Sequence, residues 1–165
     1  MALCALPVLV FAFSSTHHLE QSKTTEFCLS CHVMEPYGRS LSIDSADHLP
    51  ASHVQNNRVP RDQACYTCHT TYAMFGDVQA KLNGLKHVYV NYFGTVPETV
   101  TLYEKFQNRE CLHCHDGARS FEEQEFHADM HEDFSRGDVS CLECHSLVHD
   151  VATLDELPVW SGPTR

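Results

Sequence analysis

Four short stretches of this chain repeat one pattern of soft metal ligands. Cys28-Leu29-Ser30-Cys31-His32, Cys65-Tyr66-Thr67-Cys68-His69, Cys111-Leu112-His113-Cys114-His115 and Cys141-Leu142-Glu143-Cys144-His145 each place a histidine directly after a C-x-x-C pair. C-x-x-C-H is the attachment signature of c-type haem. The two thiols add across the two vinyl groups of the porphyrin, and the adjacent histidine falls beneath the iron as its axial ligand. Zinc also uses C-x-x-C pairs, but it gives no reason for a histidine to follow every one of them. A thioredoxin-like dithiol would occur once, in an α/β setting. The spacing therefore points to covalent haem on all eight of these cysteines, with His32, His69, His115 and His145 as the proximal ligands.

Thirteen histidines minus these four leave nine: His17, His18, His48, His53, His87, His113, His127, His131 and His149. A haem held between two histidines takes its second ligand from such a set. His17 and His18 adjoin an apolar stretch. His113 lies inside a C-x-x-C loop and faces away from its own iron. His127 and His131 are four apart, so a continuous helix would put them on one face.

The elements that position these groups must be small. The chain has 165 residues, and four haems leave about 41 residues for each. The core is then mostly porphyrin and the polypeptide a wrapping. Thioether links staple distant segments much as disulfides do in small domains. Apolar residues make up 42% and charged residues 20%, which argues against disorder. Lys+Arg 11 against Asp+Glu 22 gives a formal charge of −11, which disfavours nucleic acid as a partner.

Residues 2–13 are unbroken apolar residues, with Pro7 among them. That is shorter than the ~20 residues a membrane helix needs. A signal peptide would want a basic residue before the apolar run and a small-residue cleavage site, and the first Lys or Arg is Lys23. Cys4 belongs to no motif. We expect residues 1–16 to be part of a membrane anchor or signal segment, with the anchor's start lacking. Residues 17–150 are expected to form the tetrahaem domain, and 151–165, with Pro158, Gly162 and Pro163, a C-terminal tail.

The first cysteines of successive motifs are 37, 46 and 30 residues apart. Close, far, close suggests two di-haem halves joined by a helical middle. Residues 33–64 hold Pro36, Gly38, Pro50, Pro60 and Asn56-Asn57, and read as mostly loop. Phe75, Val78, Leu82 and Leu85 recur at helical spacing within 72–93. Pro97 suits the first turn of a helix running into Cys111. Ser120-Phe-Glu-Glu123 reads as a capping box opening a helix to about Phe134. No strand pattern emerges. The expected class is mainly α with long loops, a small multihaem cytochrome c domain organised by its haems.

Glu26-Phe27-Cys28-Leu-Ser-Cys31-His32-Val33-Met34 resembles the first haem motif of the NapC/NirT/NrfH family of membrane-anchored quinol dehydrogenases. Ser52-His53 before the second motif, Gly84-Leu85-Lys86-His87 after it and Arg109-Glu110-Cys111 agree, as do Met130-His131 and His149. The resemblance covers about residues 14–150. It implies one N-terminal membrane helix, a tetrahaem domain on the periplasmic face, and electron flow from menaquinol or ubiquinol to a periplasmic redox enzyme or multihaem cytochrome. It further implies His53, His131 and His149 as distal ligands, His87 near the quinol end as a further candidate ligand, and Met34 as a ligand of the first iron in place of His32. The resemblance places an acidic residue just before the Gly84-Leu85 pair, where this chain has Asn83. A carboxylate accepts a quinol proton and an amide does not. Lys81, Lys86, His87 or Asp77 would then take that part, and Lys81, Asn83 and His87 form the expected quinol site.

A second function fits the same motifs. A chain with no substrate of its own could serve as a conduit: a soluble shuttle, a subunit of a larger respiratory or photosynthetic assembly, or one protomer of a cytochrome wire built as an oligomer.

Overall fold

A turn of helix brings side chains three apart to one side, so C-x-x-C is itself a helical spacing, and three of the four motifs use it that way. The computed structural model describes residues 2–162, with side chains from residue 5. The helices among them are α1 (Ala2–Gln21), α2 (Thr25–Leu29), α3 (Glu35–Arg39), α4 (Leu49–Gln55), α5 (Ala64–His69), α6 (Gly76–Phe93), α7 (Asn108–His115), α8 (Arg119–Glu122), α9 (Glu125–Asp129), α10 (His131–Arg136), α11 (Cys141–Cys144) and α12 (Val151–Leu154). Single 3-10 turns occupy His32–Met34 and Arg61–Gln63. No strand occurs among the described residues; extended backbone pairs only at an isolated bridge between Ile43 and Val159.

α1 begins in the apolar stretch and continues through Ser14, His17 and His18 to Gln21, past the boundary expected at residue 16. Leu6, Phe11 and Phe13 are largely exposed. Among the described residues no helix is long and apolar enough to cross a membrane, because the polar second half of α1 dilutes its apolar first half. Met1 and the side chain of Cys4 lie outside what the structure describes, as does Pro163.

The chain divides into two units: residues up to Thr67 together with those from His149, and Cys68–Val148. In the first unit α3, α4 and α12 close over a small core of Ile43, Ala51 and Leu154, with Leu157 packed against it. The prolines read as loop signals at 36 and 50 sit in the first turns of α3 and α4, where a missing N–H costs no hydrogen bond. Asn57, at φ 54°, turns the chain out of α4. Residues 151–162 are no free tail. Arg39 donates to the carbonyls of Leu154 at 2.8 Å and Leu157 at 3.0 Å. Asp44 N donates to Pro158 O and Trp160 N to Ser42 O, both at 2.7 Å. Leu154, 1% exposed, is the residue for which the segment returns.

In the second unit α6 starts at Gly76, close to the expected helix. Val78, Leu82, Leu85, Tyr89 and Tyr92 are exposed along it at spacings of three and four, forming an apolar stripe. The helix expected from Pro97 is absent, and α7 begins only at Asn108. Val96, Thr99, Val100 and Thr101 are β-branched, which disfavours helix there. The single helix expected from Ser120 to Phe134 is three helices, broken at Gln124 and Met130. Ser120 lies inside α8, and the capping box belongs instead to Ser140 and Glu143 at the start of α11. The breaks let Phe121 and Phe134, 8% and 5% exposed, meet in one core.

Candidate haem sites and their axial histidines

Motifs two and three lie wholly on α5 and α7. Motif four occupies α11, with His145 directly after it. Motif one begins in the last turn of α2 and passes into the 3-10 turn that starts at His32. In all four the first cysteine is half-buried and the second exposed. Each motif therefore presents one half-buried and one outward sulfur, the pair that would hold a covalently bound haem.

The first cysteines meet in pairs. The thiol of Cys28 is hydrogen bonded to that of Cys65, and this bond holds Cys65 down to about 7. Cys111 likewise holds Cys141 at about 7 and is itself raised by the pairing. These thiols stand where the haem protein has thioethers, which do not titrate, so what persists is their proximity. Motifs one and two bring their first sulfurs together, and motifs three and four do the same.

Two residues that the sequence did not single out make these pairings. Thr25 Oγ1 donates to Arg61 O and accepts from Ala64 N, both at 2.9 Å, tying α2 to the start of α5. Asn108 donates to Phe134 O at 2.9 Å and Val139 O at 2.6 Å, and accepts from Cys141 N at 3.0 Å, tying α7 to α11. Each lies three residues before the first cysteine of its motif, one helical turn away, and that shared position is the signal in the sequence. Asn108→Asp keeps the acceptor and loses both donors. Two part-buried carbonyls then face a carboxylate, and we expect a loss of about 2–4 kcal/mol in chemical denaturation, with Thr25→Val smaller.

Among the spare histidines, protonation can be read from partners. His53, half-buried on α4, has Nδ1 at 2.7 Å from Leu49 O. A carbonyl only accepts, so Nδ1 carries the proton and Nε2 keeps its lone pair. His149 has Nδ1 at 2.9 Å from Ser40 Oγ, whose own proton goes to Tyr37 O at 2.7 Å, so again Nδ1–H donates and Nε2 is basic. This is how proteins orient an imidazole toward a metal. His131 is arranged the other way: its Nε2 lies 3.2 Å from Asp116 Oδ1 and 3.9 Å from Glu122 Oε1. His48 is 6% exposed, with Nδ1 on Ser45 Oγ and an enclosed, unpartnered Nε2. His113 stacks on Tyr72 at 3.9 Å and 9°, consistent with a histidine turned from its own iron.

His32 projects fully into solvent near Glu35, whereas Met34 is half-buried. His87 Nδ1 is 3.2 Å from the Tyr103 hydroxyl, and Lys86 Nζ lies 3.8 Å over the Tyr103 ring. Partial burial and the Lys86 charge hold His87 below its ordinary pKa. Desolvation by its neighbours and the charge of nearby His87 do the same to His69, the second motif's histidine. Asn83 and His87 are one turn apart on α6, and Lys81 lies on another side of it. The three expected quinol-site residues thus do not converge.

Covalent haem suits this donor set: three sulfur pairs on helical turns and one that runs out of a helix end, each followed by an imidazole, with further imidazoles whose Nε2 is unprotonated. Comparison with known proteins agrees. The chain belongs to the NapC/NirT cytochrome c family, whose N-terminal-region model matches residues 1–154. It is 28% identical to the cytochrome c-type protein NapC of Haemophilus influenzae over 87% of this chain and 73% of that protein. It is 27% identical to a putative tetraheme cytochrome-c type protein of Allochromatium vinosum, over 85% of this chain and 80% of that one. Cytochrome c-type protein TorC of Escherichia coli is 25% identical over 77% of this chain but only 35% of its own length. No solved structure matches the chain significantly. The protein is a c-type cytochrome, an electron-transfer protein of respiratory chains carrying covalent haem.

Proposed function

We propose that this protein holds four c-type haems at the periplasmic face of the membrane and passes electrons from a membrane quinol to a periplasmic redox partner. The observation that carries this reading is the ordered set of four motifs whose first sulfurs meet two by two. Bound haem supplies one-electron iron chemistry at each motif. A quinol gives up two electrons and two protons to become quinone; the electrons leave one at a time, and the protons need acceptors on the chain. His87, hydrogen bonded to Tyr103, is the acceptor we assign, since Asn83 cannot serve. The apolar half of α1, taken by itself, supports contact with a membrane, and so does the exposed apolar stripe of α6. The acidic surface suits a basic docking partner.

On this reading His53 and His149 are axial ligands. His53→Ala and His149→Ala should each turn one haem from low-spin to high-spin in EPR and absorption, leaving the haem count by mass unchanged. Unaltered spectra in both variants would remove them from the ligand set. The functional test is anaerobic addition of menaquinol or ubiquinol to the oxidised protein in detergent. Growth of the ferrous c-type absorption within seconds is expected, slowed at least tenfold by His87→Leu. Reduction by other cytochromes but by neither quinol would favour the conduit reading instead.

A further inference from the structure

We propose that α6 lies in the surface of a membrane with anionic headgroups, its apolar stripe among the acyl chains and Lys81 and Lys86 at the phosphates. This deepens the membrane-quinol reading above and rests on it for the presence of a membrane.

A helix of a soluble domain turns its apolar side to its own chain. α6 does the reverse. At 3.6 residues per turn Val78, Leu82, Leu85, Tyr89 and Tyr92 fall on one side, and their exposure runs from 57% at Val78 to 74% at Tyr92. The opposite side carries Asn83, His87 and Asn91. His87 meets the chain there: its ring lies 4.7 Å from that of Tyr103, and its charge is felt at His69 of motif two. The polar side is thus turned inward and the apolar side outward. A helix of 18 residues is marginal without a packed apolar face, so something must cover the stripe. From Val78 to Tyr92 the stripe is about 21 Å long at 1.5 Å per residue, longer than one porphyrin ring is wide.

Charge selects what covers it. The whole chain carries −11 and is repelled by an anionic surface, so it needs a face of local positive charge to approach one. α6 has two lysines and one acid, Asp77 in its first turn. Lys81 and Lys86 fall on opposite margins of the stripe. Lysines in that position lay their stems along the apolar surface and hold the ammonium at headgroup level. Lys86 Nζ rests 3.8 Å over the Tyr103 ring, which keeps it at the margin. Tyr89 and Tyr92 place hydroxyls on an apolar side, as side chains at a membrane–water boundary do. A second copy of this chain would bring a further −11 against the first, whereas a phosphate surface complements the two lysines.

The test uses the full haem-loaded chain with vesicles of phosphatidylcholine, alone or with phosphatidylglycerol in equal parts. Hydrogen exchange of peptides within 76–93 should slow about tenfold or more when the vesicles containing phosphatidylglycerol are added. Co-flotation should favour those vesicles, and Lys81→Gln with Lys86→Gln should weaken that partition about tenfold, an effect lost at high salt. Leu82→Ser with Leu85→Ser should abolish the slowing in α6, whatever binding α1 retains. Exchange in 76–93 that is the same with and without vesicles overturns the inference, whether porphyrin, a second copy or nothing covers the stripe. So does flotation of both double variants like the parent, which assigns the contact to α1. Reduction by quinol in detergent separates the two readings. A chain reduced by quinol but unprotected in α6 loses only this inference; one protected in α6 but not reduced loses only the quinol reading.

Discussion

Replacing Cys111 and Cys114 together by alanine is expected to remove one haem and to unfold the unit Cys68–Val148. The unit has little else to fold around. Its described buried apolar side chains are Phe121 and Phe134. Ordering a residue costs about 1–2 kcal/mol of backbone entropy, which two phenylalanines cannot offset over such a length of chain. The long exposed helix α6 and the irregular segment 94–107 contribute no buried apolar side chain of their own. Porphyrin must supply that surface, and the paired sulfurs of Cys111 and Cys141 make motif three the neighbour on which motif four rests. The measurement is limited proteolysis with intact mass: the variant should be cut within 68–148 at least a hundredfold faster than the parent. A resistant variant carrying one haem fewer would show that the polypeptide holds this unit by itself.

Met34→Leu should lower the potential of one haem by an amount visible as a separate step in redox titration, whereas His32→Ala should leave that step in place. A thioether is a softer ligand than imidazole and stabilises ferrous iron, so losing it lowers the potential. The 3-10 turn His32–Met34 sets the two side chains differently: His32 in open solvent, Met34 half-buried against the chain. Pro36 in the first turn of α3 stiffens the backbone directly after them. A flexible unbranched side chain is then held on the protein side, where a ligand must be. If Met34→Leu changes no potential and His32→Ala turns one haem high-spin, the histidine is the ligand and Met34 only packs.

Much of the site was legible because covalent chemistry imposes strict spacing. The four motifs follow from positions in the sequence, and the structure brings their first cysteines together one with two and three with four, as the spacing suggests. What was not legible depends on partners distant in the chain. The Ser120 capping signature lost to the meeting of Phe121 with Phe134, which needs α8, α9 and α10 to be separate. Residues 151–162 read as a tail by their prolines and glycine, yet Leu154 and the Arg39 hydrogen bonds bind them to the first unit.

The sequence by itself determined the cofactor class, because two thiols and an imidazole at fixed spacing can satisfy one porphyrin and its iron within a single helical turn. It also determined that the chain is helical, since strands would place those cysteines on alternating faces. Only the tertiary structure decided which nitrogen of each spare histidine carries the proton. An imidazole's unprotonated nitrogen is chosen by the group that its other nitrogen meets, and those groups, Leu49 O, Ser40 Oγ, Phe121 O and the Asp116 carboxylate, are set by how the chain folds back on itself rather than by neighbouring letters.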